Sequence, residues 1–517
     1  MGWKGKSLLG LPVVAGVLYA GLAYVTREPD RPVTRIETGG KLAIVGVTIV
    51  DPATGTHTPD RTVLIEGGKI AGIAEPGSLP ANFASAQRVD AAGKFLIPGF
   101  NDMHAHPLGA RDPSGGLALM LANGITGFRQ MSGSDALLDE RRTSRMPLTV
   151  DAPAVLILPG ALLTPLNASR PEQARQTVRE QQAHGADFIK AGFVSGPVLF
   201  AALDEARKIG IPVAGHVPAG VSVVASAQSG MRAIEHLGPA NSLLIAPARD
   251  GGHILAEVHA TTKFPQVPAI RSHILEKLAE WALAKRVINP AAADPEAGGV
   301  EPMRRALASF DEGRCRKAMQ DLKAAGNWQV PTLIRLKSIY LADDPAFARE
   351  PNLRYMTRET VRDWRAAATK FAQIYSRDDR ATMRAGYAAS LRLVKLLEEE
   401  GVPMLAGSDA SGAGWEVPGF ALHQEFDELA RAGLSPLRIL QMTTSDAATF
   451  LGRPGSMGRV QPGMAADLVL LDADPTAQVR NLHRISGVVR AGHYRDRAYL
   501  DGLISRVQAN GGHLQSF

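Results

Sequence analysis

Lys94-Phe95-Leu96-Ile97-Pro98-Gly99-Phe100-Asn101-Asp102-Met103-His104-Ala105-His106 is an apolar run that ends in two histidines. Successive side chains of a strand point to opposite faces, so residues two apart share a face. His104 and His106 are therefore expected to project together from the end of a short, buried strand. Two neutral imidazoles on one face form a clamp for a divalent metal such as zinc. Alone the pair is a weak signal, because core and surface histidines outnumber metal ligands. The downstream residues decide.

Beyond residue 106, strand-like runs alternate with helical ones. The runs are 124–129, 154–158, 186–190, 211–216, 233–236, 328–334 and 402–409, with helical stretches such as 197–209 and 421–432 between them. Eight β-type runs alternating with helices predict an α/β chain built as a (β/α)8 TIM barrel. The connections between runs six and seven and between runs seven and eight are long and mainly helical. They are expected as insertions over the mouth of the barrel that shape substrate access. Upstream, residues 41–92 hold short β runs, with a hairpin signature where Thr62-Val63-Leu64-Ile65-Glu66 meets Gly67-Gly68. From residue 455 the β character returns at 466–472 and 485–492. These runs are expected to complete a small β-sandwich that is formed by both flanks of the barrel. The division expected is a signal or anchor at 1–25, a linker at 26–40 and the sandwich's first part at 41–96. The barrel comes next at 97–454, then the sandwich's second part at 455–505 and a tail at 506–517.

Composition narrows the function classes. Net charge is +6, yet only 5% of the residues are aromatic and no Lys/Arg run alternates with them. That pattern reads as a solvated basic surface and not as a nucleic-acid footprint. The single cysteine, Cys315, excludes an intramolecular disulfide and a cysteine-based zinc site. Lys4 and Lys6 precede a stretch at 7–25 that carries no formal charge. A positive region followed by apolar residues predicts export, either by a cleaved signal or by an uncleaved membrane anchor. The chain is then expected on the periplasmic or extracytoplasmic face, anchored or secreted. A homo-oligomer is left open.

In a (β/α)8 barrel, residues at the carboxyl ends of the strands converge on one face. Here five strand ends carry a residue able to bind metal: His104 and His106, Lys190, His216, His236 and Asp409. Each has a bland alternative, since a histidine can serve the core, a lysine a salt bridge and an aspartate a helix cap. Six such residues on strand ends of one barrel favour a metal site. Lys190 follows apolar Phe188 and Ile189, and poor solvation lowers the pKa of its amine. A neutral amine can take up carbon dioxide as a carbamate, whose two oxygens would bridge two metals.

With these residues assembled, the chain resembles the metal-dependent amidohydrolase superfamily, in its imidazolonepropionase- and prolidase-like branch. The resemblance covers about residues 41–505. It rests on the stretch ending in His104 and His106, on Ala186-Asp187-Phe188-Ile189-Lys190, Gly215-His216-Val217-Pro218, Ile234-Glu235-His236 and Gly407-Ser408-Asp409-Ala410. The tail Gly463-Met464-Ala465-Ala466-Asp467-Leu468-Val469-Leu470-Leu471-Asp472 matches the family's closing β segment. The resemblance implies two divalent ions, usually zinc. His104, His106 and Asp409 would hold one, His216 and His236 the other, and carboxylated Lys190 would bridge them. Asn101, Asp102, Arg129 and Thr332 sit where supporting or substrate contacts could occur.

Such a site lowers the pKa of a bridging water, so that hydroxide exists near neutral pH. Asp409 would take its proton and pass it to the leaving nitrogen as the catalytic residue. The expected activity is cleavage of a carbon–nitrogen bond, in a dipeptide-like substrate or an N-acyl amino acid. Cyclic amides, lactones and phosphotriesters suit the same metal pair. The rival from another class is an inactive, membrane-tethered binding protein, whose mark would be a lost ligand, and none of the six is missing.

Overall fold

The computed structural model describes residue 21 and residues 36–110, 112–239, 241–266, 284–295, 299–411 and 413–511. Apart from residue 21, the expected signal or anchor and most of the linker lie outside the described residues. Among the described residues no helix is long and apolar enough to cross a membrane. The expectation of an exported, secreted or membrane-anchored enzyme is corrected accordingly. The stretch that suggested it contains Pro12 and three glycines, residues of low helix propensity.

Among the described residues the strands fall into three sheets. The first takes β1 (Leu42–Val50), β2 (His57–Glu66), β3 (Lys69–Ala74), β4 (Gln87–Asp90) and β5 (Phe95–Pro98) from the front of the chain. It takes β13 (Leu468–Leu471), β14 (Ile485–Arg490) and β15 (His493–Asp496) from the back. Its order is β15-β14-β13-β5-β1-β2-β3, with β4 also on β1. The hairpin expected at Gly67-Gly68 is present, with Glu66 paired to Lys69. β1 runs through Gly46 as one strand. Gly46 has φ +75°, and the pairing with β2 shifts register there, so the glycine absorbs an irregularity that a branched side chain would resist.

Front and back meet at β5 and β13, which pair antiparallel from Pro98↔Leu468 to Phe95↔Leu471. Lys94 Nζ lies 2.6 Å from Asp472 Oδ1, and Arg459 pairs with Asp51. Leu42, Ile44, Val47, Ile65, Leu96, Leu468 and Leu470 bury one another beneath this sheet.

The other two sheets are parallel. One runs β6 (Phe100–Ala105), β7 (Ile125–Gln130), β8 (Ala154–Ile157), and the other β12 (Trp328–Val330), β11 (Met231–Glu235), β10 (Val213–Gly215), β9 (Ile189–Ala191). Strands covered by helices on their outer face lose the alternation of apolar and polar residues. This is why they read as short apolar runs. Gly196–Ile209 and Phe420–Arg431 are helices close to where the sequence places them. Gly210, at φ +76°, ends the first of these.

Two runs differ from expectation. Only 328–330 of the seventh run is strand, because Pro331 has no N–H to donate and Thr332 turns to φ 44°. Thr332 then caps the helix Leu333–Tyr340. The eighth run, 402–409, is held by separate backbone bonds: Gln329 N to Pro403 O (3.0 Å), Met103 N to Ala406 O (2.9 Å) and Asp409 N to His104 O (2.7 Å). Gly407 lies so close to β6 that an added Cβ would stand 2.6 Å from the Cβ of His104.

The long connections are helical, as expected. The first includes Gly251–Thr261, Val300–Ala308 and Glu312–Ala324; the second includes Arg358–Ile374 and Arg377–Glu399. Ser376 and Asp379 form a reciprocal capping box at the start of the last helix.

Candidate metal centre

The six candidate residues stand on or just beyond strand ends. Lys190 lies within β9, His216 and His236 follow β10 and β11, and Asp409 ends the eighth run. Gly215 makes the turn into His216 possible: its φ is +134°, and an added Cβ would sit 2.2 Å from the Ala191 carbonyl oxygen. His236 and Asp409 have φ of 57° and 61°, in the left-handed region that non-glycine residues avoid. Such strain costs of order 1–3 kcal/mol per residue and collects at functional sites.

Asp409 is the hub. Its Oδ1 lies 3.0 Å from His104 Nε2 and 3.1 Å from His106 Nε2. Its Oδ2 lies 3.9 Å from His236 Nε2. One ligand atom from each of His104, His236 and Asp409 falls within 4.8 Å of the others. The His216 ring stands 5.2 Å from that of His236, centroid to centroid. The Lys190 ammonium nitrogen is buried and has no hydrogen-bond partner.

The electrostatics suit ligands. Burial pushes His216 and His236 well below the usual imidazole range. Burial also takes His106 down to about 4, against the pull of Asp409. These rings are therefore neutral at pH 7, the form that binds metal. Burial lowers Lys190 to about 8, with Glu235 opposing the shift. For Asp409 burial works upward, but His104 and His236 outweigh it and hold the carboxyl well below its ordinary range.

The four supporting candidates occupy distinct places. Asp102 accepts from Ser408 Oγ (2.5 Å) and Ser408 N (3.0 Å), which pins the eighth run to β6. Thr332 Oγ1 meets His236 Nδ1 at 2.5 Å. Arg129 donates to the Met103 carbonyl and to Glu235. Asn101 donates to the Thr443 and Gly99 carbonyls and serves the packing of β6.

Sequence reasoning missed Glu235, Ser132 and Arg335. Glu235 Oε2 lies 2.6 Å from His104 Nδ1, and Ser132 Oγ lies 3.0 Å from His106 Nδ1. Such contacts to the far ring nitrogen fix the orientation of a ligating histidine. A carboxylate inside the apolar run Ala233-Ile234-Glu235 was the available signal for the first. The Arg335 Nε lies 3.3 Å from Asp409 Oδ2. No spacing rule reaches it, because it sits on the helix after the shortened seventh strand.

Residues 333–494 match the amidohydrolase family model. In fold the chain is similar to a bottromycin amidohydrolase, at 25% identity and a TM-score of 0.64, covering 96% of this chain and 94% of that one. Residues 333–494 thus form an amidohydrolase family segment within this chain. Another fold neighbour of this chain is a Xaa-Pro dipeptidase, at 16% identity, TM-score 0.57, and 88% and 100% coverage. Among curated relatives, a dihydroorotase of Anaeromyxobacter sp. (strain K) is 28% identical over 189 residues. That match takes in 34% of this chain and 41% of the relative, well under two thirds of its length.

Proposed function

We propose that this protein is a metal-dependent amidohydrolase cleaving a carbon–nitrogen bond of an amide or peptide-like substrate, such as a dipeptide or N-acyl amino acid. The observation that carries the reading is the buried cluster of His104, His236 and Asp409 beside the unpartnered amine of Lys190. Neutral imidazoles and a carboxylate are the donor set of a divalent ion of the zinc type. His104, His106 and Asp409 would hold one ion, and His216 and His236 a second. Lys190, as a carbamate, would be a ligand shared by both ions. When bound, such ions supply Lewis-acid activation of water and of the scissile carbonyl.

The chain's own residues do the rest. Asp409 accepts a proton from the attacking water and returns it to the leaving nitrogen, which departs as an amine. Glu235, Ser132 and Thr332 hold the histidine rings in register. In the same reading, the two parallel sheets and the 402–409 run close into an eight-stranded barrel over 97–454. The strands of 41–96 and 455–505 form a sandwich-like second unit.

The test is metal content per chain beside turnover of dipeptides and N-acyl amino acids. About two zinc-type ions are expected in the wild type, fewer in Lys190→Ala, with turnover lost in step. A wild type that retains no divalent ion would sink the reading. The dihydroorotase relative favours one second reading, a cyclic amide as substrate, and ring-opening of cyclic amides without dipeptide cleavage would select it.

A further inference from the structure

Arg335 is buried (5% exposed) against the candidate centre. Its Nε faces Asp409 Oδ2 at 3.3 Å, while Oδ1 of the same carboxylate faces His104 and His106. The rest of the guanidinium is occupied by backbone. One terminal nitrogen donates to the Ile288 carbonyl at 3.2 Å and the other to the Val287 carbonyl. These carbonyls end the helical segment 284–288, where a cation is favoured. One turn along Arg335's own helix, Leu333–Tyr340, Ser338 Oγ contacts the fully buried Glu416 at 3.2 Å. The helix is thus pinned one turn beyond the arginine.

We propose that Arg335 is a positioning residue that holds Oδ2 of Asp409, so that the carboxylate presents Oδ1, and not Oδ2, to His104 and His106. The inference rests on the metal-dependent reading of the centre and adds a role for the insertion between the sixth and seventh strands. That insertion reaches the site through the carbonyls of Val287 and Ile288, which aim the guanidinium. A planar fork reaches the carboxylate and the two carbonyls from three separate nitrogens, whereas an ammonium would have to reach all three from one.

The full chain is loaded with Co2+ as wild type, Arg335→Gln, Arg335→Lys and Arg335→Gly, and the visible bands are recorded beside metal content. Equal metal content is expected, with weakened and shifted bands in all three variants, because Asp409 is then free to offer both oxygens. The kcat on the substrate that the wild type turns over should fall about 100-fold, with KM changed less than about threefold. Guanidinium ion, but not urea, should return the bands of Arg335→Gly towards the wild type, which a loss of packing would not allow. Should the glutamine or glycine variant fail to fold, Arg335→Lys carries the same spectral expectation with its charge kept. Metal-loaded variants with wild-type bands and kcat within about twofold overturn the inference and leave the proposed function standing. A wild type that retains no metal overturns both.

Discussion

Glu235 shows how much one buried side chain can hold. Its two oxygens are divided between His104 and the fully buried Arg129, whose guanidinium also faces the ring of Phe450 at 5.2 Å. For Glu235 burial works upward, but Arg129, His104 and Lys190 together hold the carboxyl below its usual range. Glu235→Ala strands the Arg129 charge, so we expect a loss of about 3–5 kcal/mol in urea unfolding. Glu235→Gln keeps the shape and weakens the hold on His104, so metal affinity should drop about 10- to 100-fold in chelator competition. A glutamine variant with wild-type affinity would show that His104 needs no such partner.

Between elements, the helix Phe420–Arg431 lies on β6 through Phe426, whose ring meets that of Phe100 at 5.4 Å, and through His423. His423 Nε2 bonds the Asn123 carbonyl at 2.8 Å, and burial pushes the ring down to about 3. The unfolded chain then binds the extra proton between pH 6.5 and 3, so stability is full above 6.5 and is lost as the pH falls. At pH 5 that loss is about 2 kcal/mol. His423→Gln cannot titrate. The stability gap between wild type and variant should therefore narrow by about 2 kcal/mol between pH 7.5 and 5, read from urea midpoints. An unchanged gap would mean that His423 is not kept neutral by its packing. Sequence alone placed His423 in a helix and found no role for it. It named His104, His106, Lys190, His216, His236 and Asp409 as candidates because each closes an apolar run with a polar side chain. Glu235 and Arg335 escaped because their partners lie on other elements, 131 residues away for Glu235. The shortened seventh strand was hidden by apolar Leu333 and Ile334, which suit a buried helix as well as a strand.

For the whole molecule, the first sheet is the feature that ties the chain together. β5 leads directly into β6 and the candidate centre, and its open edge is covered by β13 from the other end of the sequence. A chain stopped at residue 454 would leave the edge of β5 and one side of its apolar core bare, an invitation to pair with other copies. We expect it to elute as aggregate in size-exclusion chromatography and to be recovered by co-expression of residues 455–517. A monodisperse truncated chain would show that the strands from the front suffice. The same sheet sets a timetable for synthesis. Lys94 and Asp472 are 378 residues apart, and a ribosome adding about 5–20 residues per second needs roughly 20–75 s to bring the second after the first. For that interval the nascent polypeptide carries β5 without its partner, so its yield in a cell should track the chaperones available during translation.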